Sequence, residues 1–165
     1  GRFGFSMMLY TFDIFERYSH ASSPYLTLNF AYDPGVGRYV PVIDENCTAD
    51  SDAVDGSTKT LEELNEKTKI TDKTAPHLDD SFGEYLSALI AEVVPFFFQG
   101  HAEAAWRIFD QEYRMSDKDD IREAIQRQLD GSPIYREVLR LAKEREARCK
   151  KGKQVTGSSQ NKEDS

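Results

Sequence analysis

Alternation of apolar and polar residues predicts β-structure at the start of the chain. In YLTLNFAY (25–32), large apolar residues recur at every second position from Leu26, so they share one face of a strand. The turn sequence DPGVG follows. RYVPV then returns as a second strand, and its Pro41 marks an edge because proline cannot donate to a ladder. With the strand-like RFGFSMMLYTFDIF upstream, the pattern predicts a small antiparallel β-meander over residues 1–43.

The apolar period changes to that of a helix at about residue 81. Apolar residues recur there at intervals of three and four, and the first stripe comprises Phe82, Tyr85, Leu86, Leu89, Ile90, Val93 and Phe97. We expect Pro95 to kink or end this helix and Gly100 to stop it. Further stripes predict a bundle of about four helices over 81–150, the last with Ser132 as its N-cap. The predicted fold class is therefore α+β.

The segment 44–80 between these regions is acidic. It holds eleven acidic and four basic residues, and so it carries most of the chain's formal charge of −8. We expect a linker that is mobile apart from one short helix in TLEELNEKT, where Thr60 and Glu63 have capping-box spacing. The polar tail, 151–165, is expected to be disordered because it offers little apolar area to bury.

Charge narrows the class of partner. A net charge of −8 argues against nucleic acid, because phosphate backbones are bound by clustered Lys and Arg. No apolar run approaches the ~20 residues that span a bilayer, and no signal peptide is visible. The chain begins with GRFGF, without Met and already in a strand-like pattern, so we expect a mature chain or a fragment.

The two cysteines, Cys47 and Cys149, fit no zinc or redox spacing. We expect two free thiols. A disulfide between them would require an oxidising compartment.

Two short stretches contain residue types that could carry chemistry. SHASSPY brings His20 close to Ser22 and Ser23, but neighbours in an extended chain seldom point together, and no nucleophile elbow is present. HLDD could hold a metal through its histidine and carboxylates, yet no second ligand pair follows at a defined spacing. We therefore expect no catalytic residue, metal or cofactor. The metal alternative would use His77, Asp79 and Asp80.

An aromatic cluster surrounds Gly100, in FFFQGHAEAAWRIFDQEYR. Helical spacing predicts that this corner is a packed core, with the indole of Trp106 buried between the first two helices of the bundle. The alternative is a surface for another protein or peptide, because the aromatic density exceeds what one helix pair requires. The candidate surface residues are Phe96, Phe98, His101 and Trp106.

Two segments of the chain resemble known families. The pair of helices over 81–115, with Gly100 at the turn and Ala104, Ala105 and Phe109 after it, resembles a tetratricopeptide-type hairpin, which implies a helical scaffold used for binding. The YDP..GRYV hairpin within 1–43 resembles the terminal strand pairs of β-repeat domains in uncharacterised bacterial envelope proteins. That likeness implies an extracytoplasmic protein, periplasmic or secreted, with a cytoplasmic location as the alternative.

These observations favour a non-catalytic binding or scaffold module of a bacterial envelope protein. The alternative is an enzyme, either a hydrolase using His20 with Ser22 or Ser23, or a metal-dependent enzyme using His77 with Asp79 or Asp80.

Overall fold

The computed structural model describes residues 4–10, 12, 24–68 and 80–157. A three-stranded antiparallel sheet is followed by five helices, which confirms the α+β class. The strands are β1 (Gly4–Leu9), β2 (Leu26–Asp33) and β3 (Arg38–Pro41). The helices are α1 (Ser51–Thr68), α2 (Asp80–Phe98), α3 (Ala102–Glu112), α4 (Lys118–Gly131) and α5 (Pro133–Gly157).

The strands form the predicted meander, in the order β1-β2-β3. The turn between β2 and β3 is closed by Asp33, whose carbonyl accepts the amide of Gly37 at 2.9 Å. Gly37 has a φ of 68°, in the left-handed region that glycine enters without steric cost. Beyond β3, the amide of Val42 donates to the carbonyl of Asn29 at 2.8 Å. Because backbone groups alternate along a strand, the backbone nitrogen of Pro41 points away from β2. Proline lacks an amide hydrogen, so it is tolerated at this edge position, as predicted.

Helix α2 lies at the centre of the molecule and packs against α1, α3, α5 and β2. Pro95 lies inside α2, which continues to Phe98, so the helix does not end at the proline. The helix stops before Gly100, as predicted, and the φ of Gly100 is 82°. The amide of Gly100 donates to Phe97 O, and the amide of His101 donates to Phe96 O. This pair of hydrogen bonds is the Schellman motif, which turns the chain sharply into α3.

Helix α1 corrects the interpretation of 44–80 as a mostly mobile linker. It begins at Ser51, nine residues before the predicted start at Thr60. The hydroxyl of Thr60 donates to the carbonyl of Gly56 inside the helix, and so it is not a cap. Val54 and Leu61 are buried against the core. Their spacing of seven residues is a narrow stripe, which the surrounding polar residues conceal in the sequence.

The last two helices close the bundle. Ser132 caps α5 as predicted, with its hydroxyl accepting the amide of Tyr135 at 3.2 Å. Tyr135, Val138 and Ala142 bury the inner face of the helix. α5 continues to Gly157, past the predicted start of the tail at residue 151, and residues 158–165 lie outside the described part of the chain.

A disulfide joins Cys47 to Cys149, so the expectation of two free thiols is wrong. The two Cα atoms are 6.0 Å apart, although 102 positions separate them in sequence. The bond ties the segment between β3 and α1 to the far end of α5. Sequence spacing could not reveal this pair, because the fold alone brings the two residues together.

Candidate binding surface on the sheet

The residues of the two enzymatic alternatives cannot be placed in this structure. Of Asp80, only the backbone is described, as the first residue of α2. Among the described residues, no group of three or more His, Cys, Asp and Glu is arranged to hold a metal ion. The remaining candidates lie outside the described ranges: His20, Ser22, Ser23, His77 and Asp79.

The α2–α3 corner is packed rather than open. Phe96, Phe98 and His101 expose only 5, 1 and 7% of their surface. Trp106 is half-buried, which departs from the predicted full burial. Its indole meets the ring of Phe97 edge-on at 4.8 Å, and the guanidinium of Arg122 lies 4.2 Å from the ring centroid. The candidate surface at this corner is therefore core, with one side of Trp106 covered by a cation.

His101 belongs to a buried polar cluster, here called the Arg145 clasp. Its Nε2 lies 2.8 Å from a carboxylate oxygen of Asp44. Arg145 donates to the carbonyl of Asp44 at 2.8 Å and to the carbonyl of Gly100 at 2.6 Å. It also donates to the carbonyl of Gln99 at 3.2 Å. The guanidinium thus satisfies carbonyls at the C-terminal end of α2, where the helix dipole favours a positive charge.

The clasp also sets the ionisation of Asp44. Burial alone would raise the pKa of this carboxyl, but the amide of Asn46 and the neighbouring His101 and Arg145 outweigh burial and lower it. A fixed anion and a buried guanidinium therefore join the segment after β3 to α2 and α5. The disulfide and an ion pair between Arg148 and Glu45 at 3.0 Å extend the same connection. This cluster joins three parts of the fold: the segment after β3, the C-terminal end of α2, and α5.

A second buried polar cluster, which sequence reasoning missed, surrounds Glu112. The residue has no exposed surface, and one carboxyl oxygen, Oε1, finds no hydrogen-bond partner among the described residues. Asn65 donates to the other oxygen at 3.3 Å, and the hydroxyl of Tyr85 donates to the Glu112 carbonyl at 3.0 Å. A helical period places Glu112 on the buried face of α3, seven residues after Ala105. This helical period is the sequence signal from which the burial of Glu112 could have been predicted.

Ionisation is unfavourable in the Glu112 cluster. Burial raises the pKa of Glu112, and Arg114, 3.9 Å away, only partly offsets this. Burial likewise raises the pKa of Tyr85 to about 12. Both groups are enclosed by α1, α2 and α3, so they are unsuited to act on a substrate without opening of the core.

Three aromatic side chains on the sheet, Phe5, Tyr32 and Tyr39, form a solvent-exposed patch, here called the aromatic patch. They expose 47, 45 and 45% of their surface. Phe5 stacks on Phe30 with 5.0 Å between ring centroids and meets the ring of Tyr39 edge-on at 5.1 Å. Tyr39 meets Tyr32 at 5.6 Å. The ring contacts fix the three side chains in place across all three strands.

The other exposed large apolar side chains also lie on the sheet and its flanks. Within the described residues, every exposed large apolar side chain lies between residues 5 and 42, and the helices contribute none. The same stretch carries only two described charges, Asp33 and Arg38. The exposed apolar residues are Phe5, Met7, Met8, Tyr10, Tyr25, Tyr32, Val36, Tyr39 and Val42.

A cleft of ≈ 500 Å³ adjoins the patch, between the β2–β3 hairpin and α5. Tyr32 lines the cleft as well as the patch, and Leu141 of α5 forms the opposite wall. An ion pair of 3.1 Å between Arg38 and Glu137 also connects β3 to α5. The hydrogen bond from Arg140, assisted by Arg38, lowers the pKa of Glu137 and so keeps this bridge ionised. The other lining residues are Ala31, Asp33, Pro34, Val40, Pro41, Val42, Ile43 and Glu45.

Comparison with known proteins supplies no relative for this arrangement. No family model matches the chain, and neither a curated protein nor a solved structure matches it. The resemblances to a tetratricopeptide hairpin and to β-repeat strand pairs therefore stay predictions. Of the helices in the described residues, none has the length and apolar character needed to cross a membrane.

Proposed function

We propose that this chain is a non-catalytic binding module that holds another protein through the aromatic patch on its sheet. One observation carries the proposal: the exposed large apolar side chains are concentrated on the sheet, while the helices bury theirs. Exposed apolar surface of this kind, when contiguous, marks an interaction site more often than chance exposure does.

The chemistry of the patch suits a protein partner. Aromatic residues are the anchors of protein interfaces, because they bury a large area at a small cost in side-chain entropy. Phe5 and Tyr39 are already held by ring contacts, so little freedom is lost on binding. The neighbouring cleft can accept a side chain or loop of the same partner, since its volume of ≈ 500 Å³ is in the range of ligand sites.

The disulfide supports an extracytoplasmic location. Bonds of this kind persist in oxidising compartments and are rare where thiols are kept reduced. The pair Cys47–Cys149 therefore favours a periplasmic or secreted protein over a cytoplasmic one. An origin in the bacterial envelope is supported by the resemblance of the β segment alone.

The proposal is tested by selecting random peptides displayed on phage against the wild-type chain and measuring each selected peptide by calorimetry. We expect Phe5→Ser and Tyr39→Ser each to weaken binding by roughly 10-fold or more, because anchor residues carry most of an interface's free energy. Val36→Ser is the matched control. This side chain is 46% exposed in the β2–β3 turn, outside the aromatic patch, and its substitution should leave binding unchanged. Peptides that bind the Phe5 and Tyr39 variants as tightly as the wild type would exclude the patch as the site.

A further inference from the structure

Within the described part of the chain, the outer edge of β1 is not paired with another strand. Among the described residues, β1 pairs only with β2, through a register that places Phe5 opposite Phe30. Asn29 turns its backbone toward β3, where its carbonyl accepts the amide of Val42. Because backbone groups alternate along a strand, Phe30 turns toward β1 and its partner Phe5 turns toward β2. The next residue, Ser6, therefore directs its amide and carbonyl away from the sheet.

By the same alternation, Gly4 and Met8 also direct their backbone groups outward. Nothing in the strand protects this edge, since GFSMML contains neither a charge nor a proline. The opposite edge is different: β3 carries Pro41, packs against α5 and is bridged to it by Arg38 and Glu137. Unprotected apolar edges pair readily with another strand, and proteins ordinarily block them with Lys, Pro or a bulge.

We propose that two copies of this chain pair through β1, antiparallel, into a continuous six-stranded sheet. An uncharged strand favours an uncharged, extended partner, because a charge placed at the junction would lose its contact with water without gaining an opposite charge. The chain carries such a segment in β1 itself, and a two-fold axis lets the same edge serve both copies. The described strands carry one negative and one positive charge, Asp33 and Arg38, so the sheet itself adds no net charge to the repulsion between two chains of charge −8.

A two-fold axis through Ser6 gives a register that uses all three outward-facing residues. The backbone groups of Ser6 then pair with those of Ser6 in the second copy, and Gly4 pairs with Met8. Phe5 lies opposite Met7 of the second copy on the patch face, which brings an aromatic ring against a thioether. The two aromatic patches thereby lie on the same side of one sheet. Phe5 belongs to both surfaces, but Tyr39 lies on β3, away from the junction, so the Tyr39→Ser arm of the peptide test is independent of dimer formation.

The first test is sedimentation velocity of the full chain over a range of concentrations. We expect a monomer–dimer equilibrium. Met8→Pro removes one outward-facing amide and should raise the dimer dissociation constant roughly 10-fold or more, because two symmetry-related hydrogen bonds are lost. Circular dichroism should show an unchanged fold, because the amide of Met8 makes no bond to β2. A wild-type chain that stays monomeric, or a dimer that Met8→Pro does not weaken, overturns the proposal.

The second test is cross-linking, which does not depend on a destabilising change. Ser6→Cys should form an intermolecular disulfide under mild oxidation, because paired residues across such a junction have Cα atoms about 5.5 Å apart. The native cysteines are already joined to each other and supply no competing thiol. Thr27→Cys is the control. It lies on the same face of the sheet but on the central strand, and it should not cross-link. Equal cross-linking of the two variants contradicts pairing through β1.

Discussion

The sheet and the helices of this protein differ in how much of their large apolar side chains is exposed to solvent. Phe97 and Leu61 in the helices have no exposed surface, and α1, α3 and α5 enclose α2. In the sheet, Phe5 and Tyr39 are nearly half exposed. In the described residues, the helices bury their large apolar side chains against one another and against β2, whereas those of the sheet stay partly exposed. The proposed binding surface therefore lies on the sheet and not on the bundle.

The two regions should differ most in the cost of removing a ring. Phe97→Ala should lower the free energy of unfolding by about 3–5 kcal/mol, because it opens a cavity beside Trp106 and Tyr135. Tyr39→Ala should cost less than about 1 kcal/mol, since water already reaches its ring. Urea unfolding followed by circular dichroism measures both. Similar losses at the two sites would mean that the sheet is packed as tightly as the bundle.

The disulfide links the two regions, and its removal should have the next largest effect. Replacing Cys47 and Cys149 together with Ser should destabilise the chain by about 2–5 kcal/mol, because the bond closes a loop of 102 positions and restricts the unfolded state. Thermal unfolding with and without dithiothreitol measures the loss. The wild type in reductant and the double variant should unfold at the same temperature. A wild type whose unfolding temperature is insensitive to reductant would argue against the bond.

The contribution of buried and of exposed charge to the contacts of α5 can be compared at Arg145 and Arg148. Arg145→Met should cost about 1–3 kcal/mol, because carbonyls at the end of α2 lose their donor. Arg148→Met is the control, since the Arg148 side chain is 61% exposed in its pair with Glu45. Exposed pairs contribute little, so this change should be nearly neutral in the same denaturation assay. Equal losses of stability in the two variants would contradict a larger contribution from the buried guanidinium of Arg145.

The smallest effect concerns pH and is confined to the bundle. Burial raises the pKa of Glu112, so the folded state binds the proton of this carboxyl more tightly than the unfolded state does. The protonated carboxyl therefore stabilises the fold fully below the ordinary pKa of 4.5, and this stabilisation is lost as pH rises through the folded-state pKa. Glu112→Gln should therefore stabilise the chain at neutral pH by about 1 kcal/mol, since the buried anion is removed. It should also flatten the dependence of stability on pH above 4.5. Calorimetry at several pH values measures this, and a variant less stable than the wild type at pH 7 contradicts it.

Much of the fold follows from local pattern. Alternation in 25–32 predicts β2, and the stripe that includes Tyr85 and Phe97 predicts α2. Gly100 and Ser132 act as the helix stop and start that their residue types favour. These features depend on neighbours in sequence. The pattern underestimates helix α1 because its apolar residues are few, and the partners that bury Val54 and Leu61 lie in distant elements.

The proposed binding surface is harder to predict from the sequence. Aromatic density favours Phe96, Phe98 and His101, but all three are buried. The ring of Phe98 packs against α5, and His101 lies within the Arg145 clasp. Tyr32 lies on the apolar face predicted for β2, yet it is 45% exposed and borders the cleft toward α5. Neither burial nor exposure at these positions is a local property. The pairing of Cys47 with Cys149 is equally non-local.

The disulfide also determines how the chain responds to mechanical force. When the two ends of the chain are pulled apart, the tension passes through the bond between Cys47 and Cys149, and the residues between them bear no load. Those 102 positions would otherwise contribute about 350 Å of extended length. Four of the five helices, α1 to α4, lie wholly within this shielded loop. The sheet lies outside it, so the region that carries the proposed binding surface is under load while most of the bundle is not.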